Sequence, residues 1–217
     1  ERTSFGFHYA AIRRPIANAN VNDYVRVTVY VAPFTALIPP NNEYNVATLL
    51  VPADDENTVF HFIAWSDQDA AWANKSGIDQ EVWRKFNVAQ PGIDLDRSFN
   101  NLRTRANHYQ QDRNAMRLGD FTGIKGIPNQ DIAMWETMGP IADRTRERLG
   151  ASDLAVVEFR NLMVDAARQM RDTGIAIGRT SPHIPQNRIR SFEGIVPKST
   201  NWRSFTVPSD QDQEKVA

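Results

Sequence analysis

The sequence predicts an α+β domain in which an antiparallel sheet comes first and helices follow. Three patterns carry that expectation. Up to Trp65, β-branched and aromatic residues recur with period two between turn signals. Between Gln130 and Gly174 the apolar period lengthens to that of a helix. The last helical segment then carries apolar residues at i, i+3, i+4 and i+7, as a helix lying on a sheet must. At 217 residues the chain is long enough to bury a full core, as one domain spanning 1–217 or as two small ones.

The first strand is read in Thr3–Arg14 and ends at Pro15, which has no N–H for an interior ladder. Tyr24–Ile38 is the cleanest alternation. Val25, Val27, Val29 and Val31 share one face, and Arg26, Thr28, Tyr30 and Ala32 the other. Asn45–Val51 and Thr58–Trp65 form the third and fourth strands, joined by a turn-rich connection, PADDEN. From Ser66 to Asp120 aromatic residues are scattered among polar ones, which reads as long loops with short helices.

A first helix is expected from Gln130 to Leu149, interrupted at Gly139-Pro140, with Asn129 as its cap and Gly150 as its left-handed terminator. A second follows a Ser152 cap and ends before Gly174. Its stripe of Ala155, Val156, Phe159, Leu162, Met163, Ala166, Ala167 and Met170 is assigned to the core. The segment from Ile175 is expected to pack over the surface, and 206–217 to form a flexible tail.

Lys and Arg number 25 against 26 acids, for a net charge of −1, so nothing in the balance favours nucleic acid or an anionic membrane. No apolar run approaches the ~20 residues of a membrane span, the opening residues are not a signal peptide, and a cytoplasmic setting is expected. Cysteine is absent, which excludes disulfides, thiolate metal sites and cysteine-ligated clusters within these residues. The abrupt opening on Glu1-Arg2-Thr3 reads as a fragment or excised domain.

Few residues offer chemistry. No glycine-rich phosphate loop or nucleophile elbow occurs, and His8, His61, His108 and His183 stand singly. His61 is the best of them because, mid-strand, it can face a cavity. Trp65, Trp72, Trp83 and Trp135 can line a pocket or anchor the core. Asp131 follows a Pro-Asn turn at a helix start. There, capping and the helix dipole account for a carboxylate more readily than a metal-binding role does. Asp131 and Glu136, five apart, do not make a ready acid–base pair.

The stretch Ile127–Asp153, IPNQDIAMWETMGPIADRTRERLGASD, resembles the C-terminal catalytic domain of Rieske non-haem iron aromatic-ring-hydroxylating oxygenases, in the phthalate 4,5-dioxygenase-like branch. FGFHYAAIRRP at Phe5–Pro15, VAPFTALIPP at Val31–Pro40 and FHFIAWSD at Phe60–Asp67 extend the resemblance over nearly the whole chain. It implies a helix-grip (START/Bet v 1-like) fold, an antiparallel sheet packed on a long C-terminal helix, without the Rieske domain. It also implies that Asp131 completes a His, His, Asp set around mononuclear Fe(II). Both histidines and the [2Fe-2S] cluster domain would lie upstream of this sequence.

Further implications are an oxygenase component that takes electrons from an NADH-dependent reductase and uses O2 to cis-dihydroxylate an aromatic carboxylate such as phthalate, in a homotrimer or stacked trimers. The fragment alone is expected to be inactive. A cationic receptor is needed for the substrate carboxylate. Arg26 is the candidate, with Arg13 and Arg14 behind it, though solvated arginines account for them equally. His61 and Trp135 are the remaining substrate-side candidates. Alternatives are a monooxygenase or O-demethylase acting on a methoxy or phenoxy aromatic acid, and a non-catalytic ligand-binding module on the same scaffold.

Overall fold

The computed structural model describes residues 1–39, 45–65, 92, 94–178 and 189–205. Its seven strands are β1 Arg2–Thr3, β2 Gly6–Arg13, β3 Asn22–Val31, β4 Thr35–Ile38, β5 Asn45–Pro52, β6 Thr58–Trp65 and β7 Phe192–Pro197. They form one sheet in the order β1-β2-β3-β4-β5-β6, every pairing antiparallel, with β7 pairing β3 as well. The α-helices are α1 Arg113–Arg117, α2 Ile127–Thr137 and α3 Leu154–Thr173. An antiparallel sheet with a long C-terminal helix is the helix-grip architecture that the resemblance implies.

The alternation in β3 reads through to the packing. Val25, Val27 and Val29 are buried on one face, where Val29 joins Phe5, Leu37, Ala47 and Ile189 in a core. On the other face Tyr30 packs with Phe7, Ala32 and Leu162 of α3. Its ring meets Phe159 edge-on at 5.3 Å, and its hydroxyl lies 3.7 Å from the Met163 sulfur. Burial pushes the Tyr30 phenol up to about 12. Arg2 ties β1 to α3 through Glu158 and, at 3.1 Å, Asp165. These contacts are exposed and screened by solvent, so they add little.

Four expectations are corrected. The single strand Tyr24–Ile38 is two, because the chain turns over Ala32–Phe34 and β4 folds back on β3. The segment after Ile175 does more than cover the surface: β7 pairs with β3 from Asn22↔Pro197 to Val27↔Phe192. That ladder satisfies the backbone groups of a β3 edge that β4, pairing only with Val29–Val31, leaves open. The α3 stripe is only partly core. Leu162 and Ala166 are buried, whereas Val156, Phe159, Ala167 and Met170 are exposed, because a straight helix meets a twisted sheet over a limited length. Lastly, helix α2 stops at Thr137, where Gly139 adopts a positive φ of 89°. Gly150, at φ −111°, opens a short 3-10 turn over Ala151–Asp153 instead of ending a helix.

The chain divides into two compact units. One comprises Glu1–Ala53, Thr58–Asp67 and Arg148–Ala217; the other comprises Asp54–Asn57 and Gln68–Glu147. The first holds the sheet and α3, the second α1 and α2. In the second unit, a 3-10 segment over Arg105–Gln110 and the five-residue α1 match the expected loops with short helices. Ser66–Pro91, with Trp72 and Trp83, and the tail 206–217 lie outside the described residues. Among the described residues no helix is long and apolar enough to cross a membrane.

Candidate metal centre

Helix α2 begins four residues before Asp131, and this changes the reading of the acid. Gly126, at φ 87°, occupies the N-cap, Pro128 is in the first turn, and no acid is. Asn129 is not the cap but a buried first-turn residue whose amide donates to the Lys125 carbonyl at 3.0 Å. Gln130 donates to the Ile124 carbonyl at 2.8 Å. Asp131 is therefore the fifth helical residue, beyond the orphan N–H groups that a capping carboxylate serves and past the range of the dipole. Neither capping nor the dipole explains it.

Asp131 is exposed, yet its neighbours crowd the carboxyl enough to raise its pKa above the ordinary carboxylate value, with desolvation the cause. Among the described residues no hydrogen bond or ion pair compensates it. The helix face around it is apolar. Ile127, Met134, Trp135 and Met138 stand at i−4, i+3, i+4 and i+7 from Asp131, and all four are exposed. A carboxylate set alone in an apolar stripe is costly unless a cation meets it.

The opposite face of α2 is anchored. Ala133, fully buried, packs with Tyr109 and Ile124. Tyr109 reaches that position through a strained turn: His108, Tyr109 and Gln110 all have φ between 52° and 55°, where non-glycine residues are uncommon. Arg103 holds the turn, donating to the Tyr109 carbonyl at 3.1 Å and to the buried Asp94 carboxylate at 2.8 Å. The Tyr109 hydroxyl is buried without a hydrogen bond of normal geometry. Desolvation, then the charge of Glu136, raises its pKa. Next to this anchor, a cleft of about 240 Å³ sets Arg103 and Lys125 against Asp112 and Asp120, so it carries no bias of charge.

The substrate-side residues lie on the sheet unit. Arg26 donates to the Pro39 carbonyl at 2.8 Å and stands 3.8 Å from Glu193, its cross-strand partner on β7. Arg13, opposite Tyr24, shares its face and is exposed, as is Arg14 just beyond β2. His61 pairs with Leu49, which packs against the core of Val29 and Leu37. It therefore sits on the face away from Tyr30 and α3, exposed, and not on the helix side of the sheet. Trp135 joins Asp131 on α2, and Trp65 is half-buried against the Val29 core. Among the described residues no three His, Asp or Glu side chains are grouped to hold a metal ion. Tyr109 and Met134 are not among the residues that the sequence alone points to. The i+3 spacing of Met134 from Asp131 was visible there, but no local signal marks Tyr109.

Comparison with known proteins agrees with the motif. The family model described as "LigXa C-terminal domain like" matches residues 1–217. The chain belongs to this family. It is 58% identical, over 205 residues and 94% of its length, to the phthalate 4,5-dioxygenase oxygenase subunit of Pseudomonas putida, of which it covers 45%. It is 29% identical over 219 residues to the 3-chlorobenzoate-3,4-dioxygenase oxygenase subunit of Comamonas testosteroni, covering 94% of this chain and 48% of that one. The chain thus spans about half the length of the curated relatives it matches.

Proposed function

We propose that this chain is the iron- and substrate-binding part of a cytoplasmic Rieske dioxygenase oxygenase subunit, acting on an aromatic acid of the phthalate type. The observation that carries the reading is Asp131: a desolvated, uncompensated carboxylate beyond the helix cap, at the motif position where the resemblance expects the iron ligand.

The donor chemistry fits. One carboxylate oxygen is a hard ligand suited to ferrous iron, and its charge offsets that of the metal. Two histidines from outside this sequence would complete the set. A ferrous ion held by Asp131 and those histidines would supply the O2 chemistry, and a reductase using NADH would supply the electrons. In overall balance, aromatic acid, O2, NADH and a proton give a cis-dihydrodiol and NAD+. The chain's own residues bind and orient. Trp135 and its apolar neighbours flank the carboxylate on the helix surface. Arg26, braced by Glu193 and the Pro39 carbonyl, is the proposed receptor for the substrate carboxylate, with Arg13 and Arg14 adding positive charge. A homotrimer or stacked trimers is the assembly that the resemblance implies.

The test is Asp131→Ala in the full-length subunit. Mononuclear iron and turnover should both be lost while the cluster absorption stays. Retained iron and turnover would favour a non-catalytic binding module. For the receptor, Arg26→Met should raise the KM for phthalate; an unchanged KM removes that assignment.

A further inference from the structure

Residues three and four positions along a helix from a given side chain are its neighbours on the surface, with Cβ atoms ~5–6 Å apart. For Asp131 those neighbours are Met134 and Trp135, which are 60% and 40% exposed. The rotation of α2 that presents them is not left to chance. Ala133, on the other side, has no exposed surface and is packed by Tyr109, which the Arg103-braced turn pushes onto the helix. Rolling α2 to bury Met134 would expose Ala133 and strip Tyr109 of its contact. The structure therefore keeps an apolar stripe outward around an uncompensated acid, an arrangement that water alone does not reward.

We propose that Met134, with Trp135, forms the wall beside the metal ligand against which the aromatic ring of the substrate lies, so that Met134 sets which rings are accepted. The proposal rests on Asp131 being the iron ligand. If it is, any group brought to the open positions of the metal lies within reach of the side chains one turn on. A thioether is suited to that contact. It is polarizable, packs favourably against the edge of an aromatic ring, and adapts to ring shape without a polar atom that would need a partner. The acceptor is thus a flat aromatic ring whose carboxylate is bound elsewhere, and not an aliphatic acid.

The test uses the full-length, iron-loaded oxygenase subunit, with phthalate and a bicyclic naphthalene dicarboxylate as calorimetric probes in the absence of O2. Met134→Ala removes apolar contact and should weaken phthalate binding about tenfold. It should bring the bicyclic acid to an affinity equal to or better than that of phthalate, and leave one mononuclear iron per subunit. Met134→Leu should restore the wild-type preference. Met134→Trp, which adds bulk to an exposed position, should weaken phthalate binding at least tenfold with iron retained. Phthalate affinity within twofold of wild type in both Met134→Ala and Met134→Trp overturns the proposal. Loss of iron in Met134→Ala does so too, by making Met134 a support of the helix. Failure of the underlying reading shows separately, as iron retained in Asp131→Ala.

Discussion

Replacing Asp94 by alanine strands a guanidinium inside the second unit. The side chains of Arg103 and Asp94 are only 8% and 5% exposed, and Nε lies 2.8 Å from the carboxylate oxygen. At that distance the gross attraction is roughly 6 kcal/mol for an effective dielectric of about 20, and desolvation of both ions offsets much of it. Removing one partner does not refund that penalty. It leaves the Tyr109 carbonyl as the remaining acceptor described for the guanidinium. The expected cost of Asp94→Ala is about 3–5 kcal/mol. Arg103→Met strands the buried Asp94 carboxylate in turn and should cost a similar amount, while the double variant Asp94→Leu/Arg103→Met should cost less than the sum of the two single changes. Urea unfolding followed by tryptophan fluorescence gives the free energies. Hydrogen exchange at the Tyr109 amide, which donates to the Thr104 carbonyl at 2.8 Å, locates the damage. If Asp94→Ala costs under about 1 kcal/mol and that amide keeps its protection, the pair is screened and the turn holds itself, and the account of how α2 is anchored fails.

Three further outcomes follow from the sheet unit. A Cβ at Gly6 would lie 2.1 Å from the Tyr30 carbonyl oxygen, so Gly6→Ala must part β2 from β3, and a loss of at least ~2 kcal/mol in thermal or urea unfolding is expected. Leu162→Ala removes the buried anchor of α3 among Phe7, Tyr30 and Ala32, at about 2–5 kcal/mol, with helical circular dichroism reporting whether α3 stays docked. Burial holds His8 below the ordinary histidine value. The unfolded chain therefore takes up the proton first as the pH falls below about 6.5, and stability present above that value is lost on acidification. Melting curves at pH 7.5 and 5.5 should show this loss in the wild type and a smaller one in His8→Gln.

The β3 alternation, the PADDEN hairpin and the helical period of α3 were legible from residue order, because periods of two and 3.6 are imposed by local backbone geometry. Asp131 stands out through the resemblance of its motif to a family, and not through period or composition. What residue order could not supply was everything set by contacts distant in the chain. β7 is a strand only because β3 offers it an edge, 175 residues earlier by the pairing Asn22↔Pro197. His61 sits on the far side of the sheet because its register with Leu49 decides its face. The start of α2 moved back to Ile127 because side chains of Asn129 and Gln130 satisfy the carbonyls that lead into it. That shift removed the capping account of Asp131. Tyr109 was invisible to any local rule, since its left-handed turn is held by Arg103 and Asp94, a buried pair whose members must first be brought together. Composition and period thus specify the elements, while the resemblance singles out the acid. Burial and long-range pairing decide which way the acid's helix is turned, and so which side chains stand beside it.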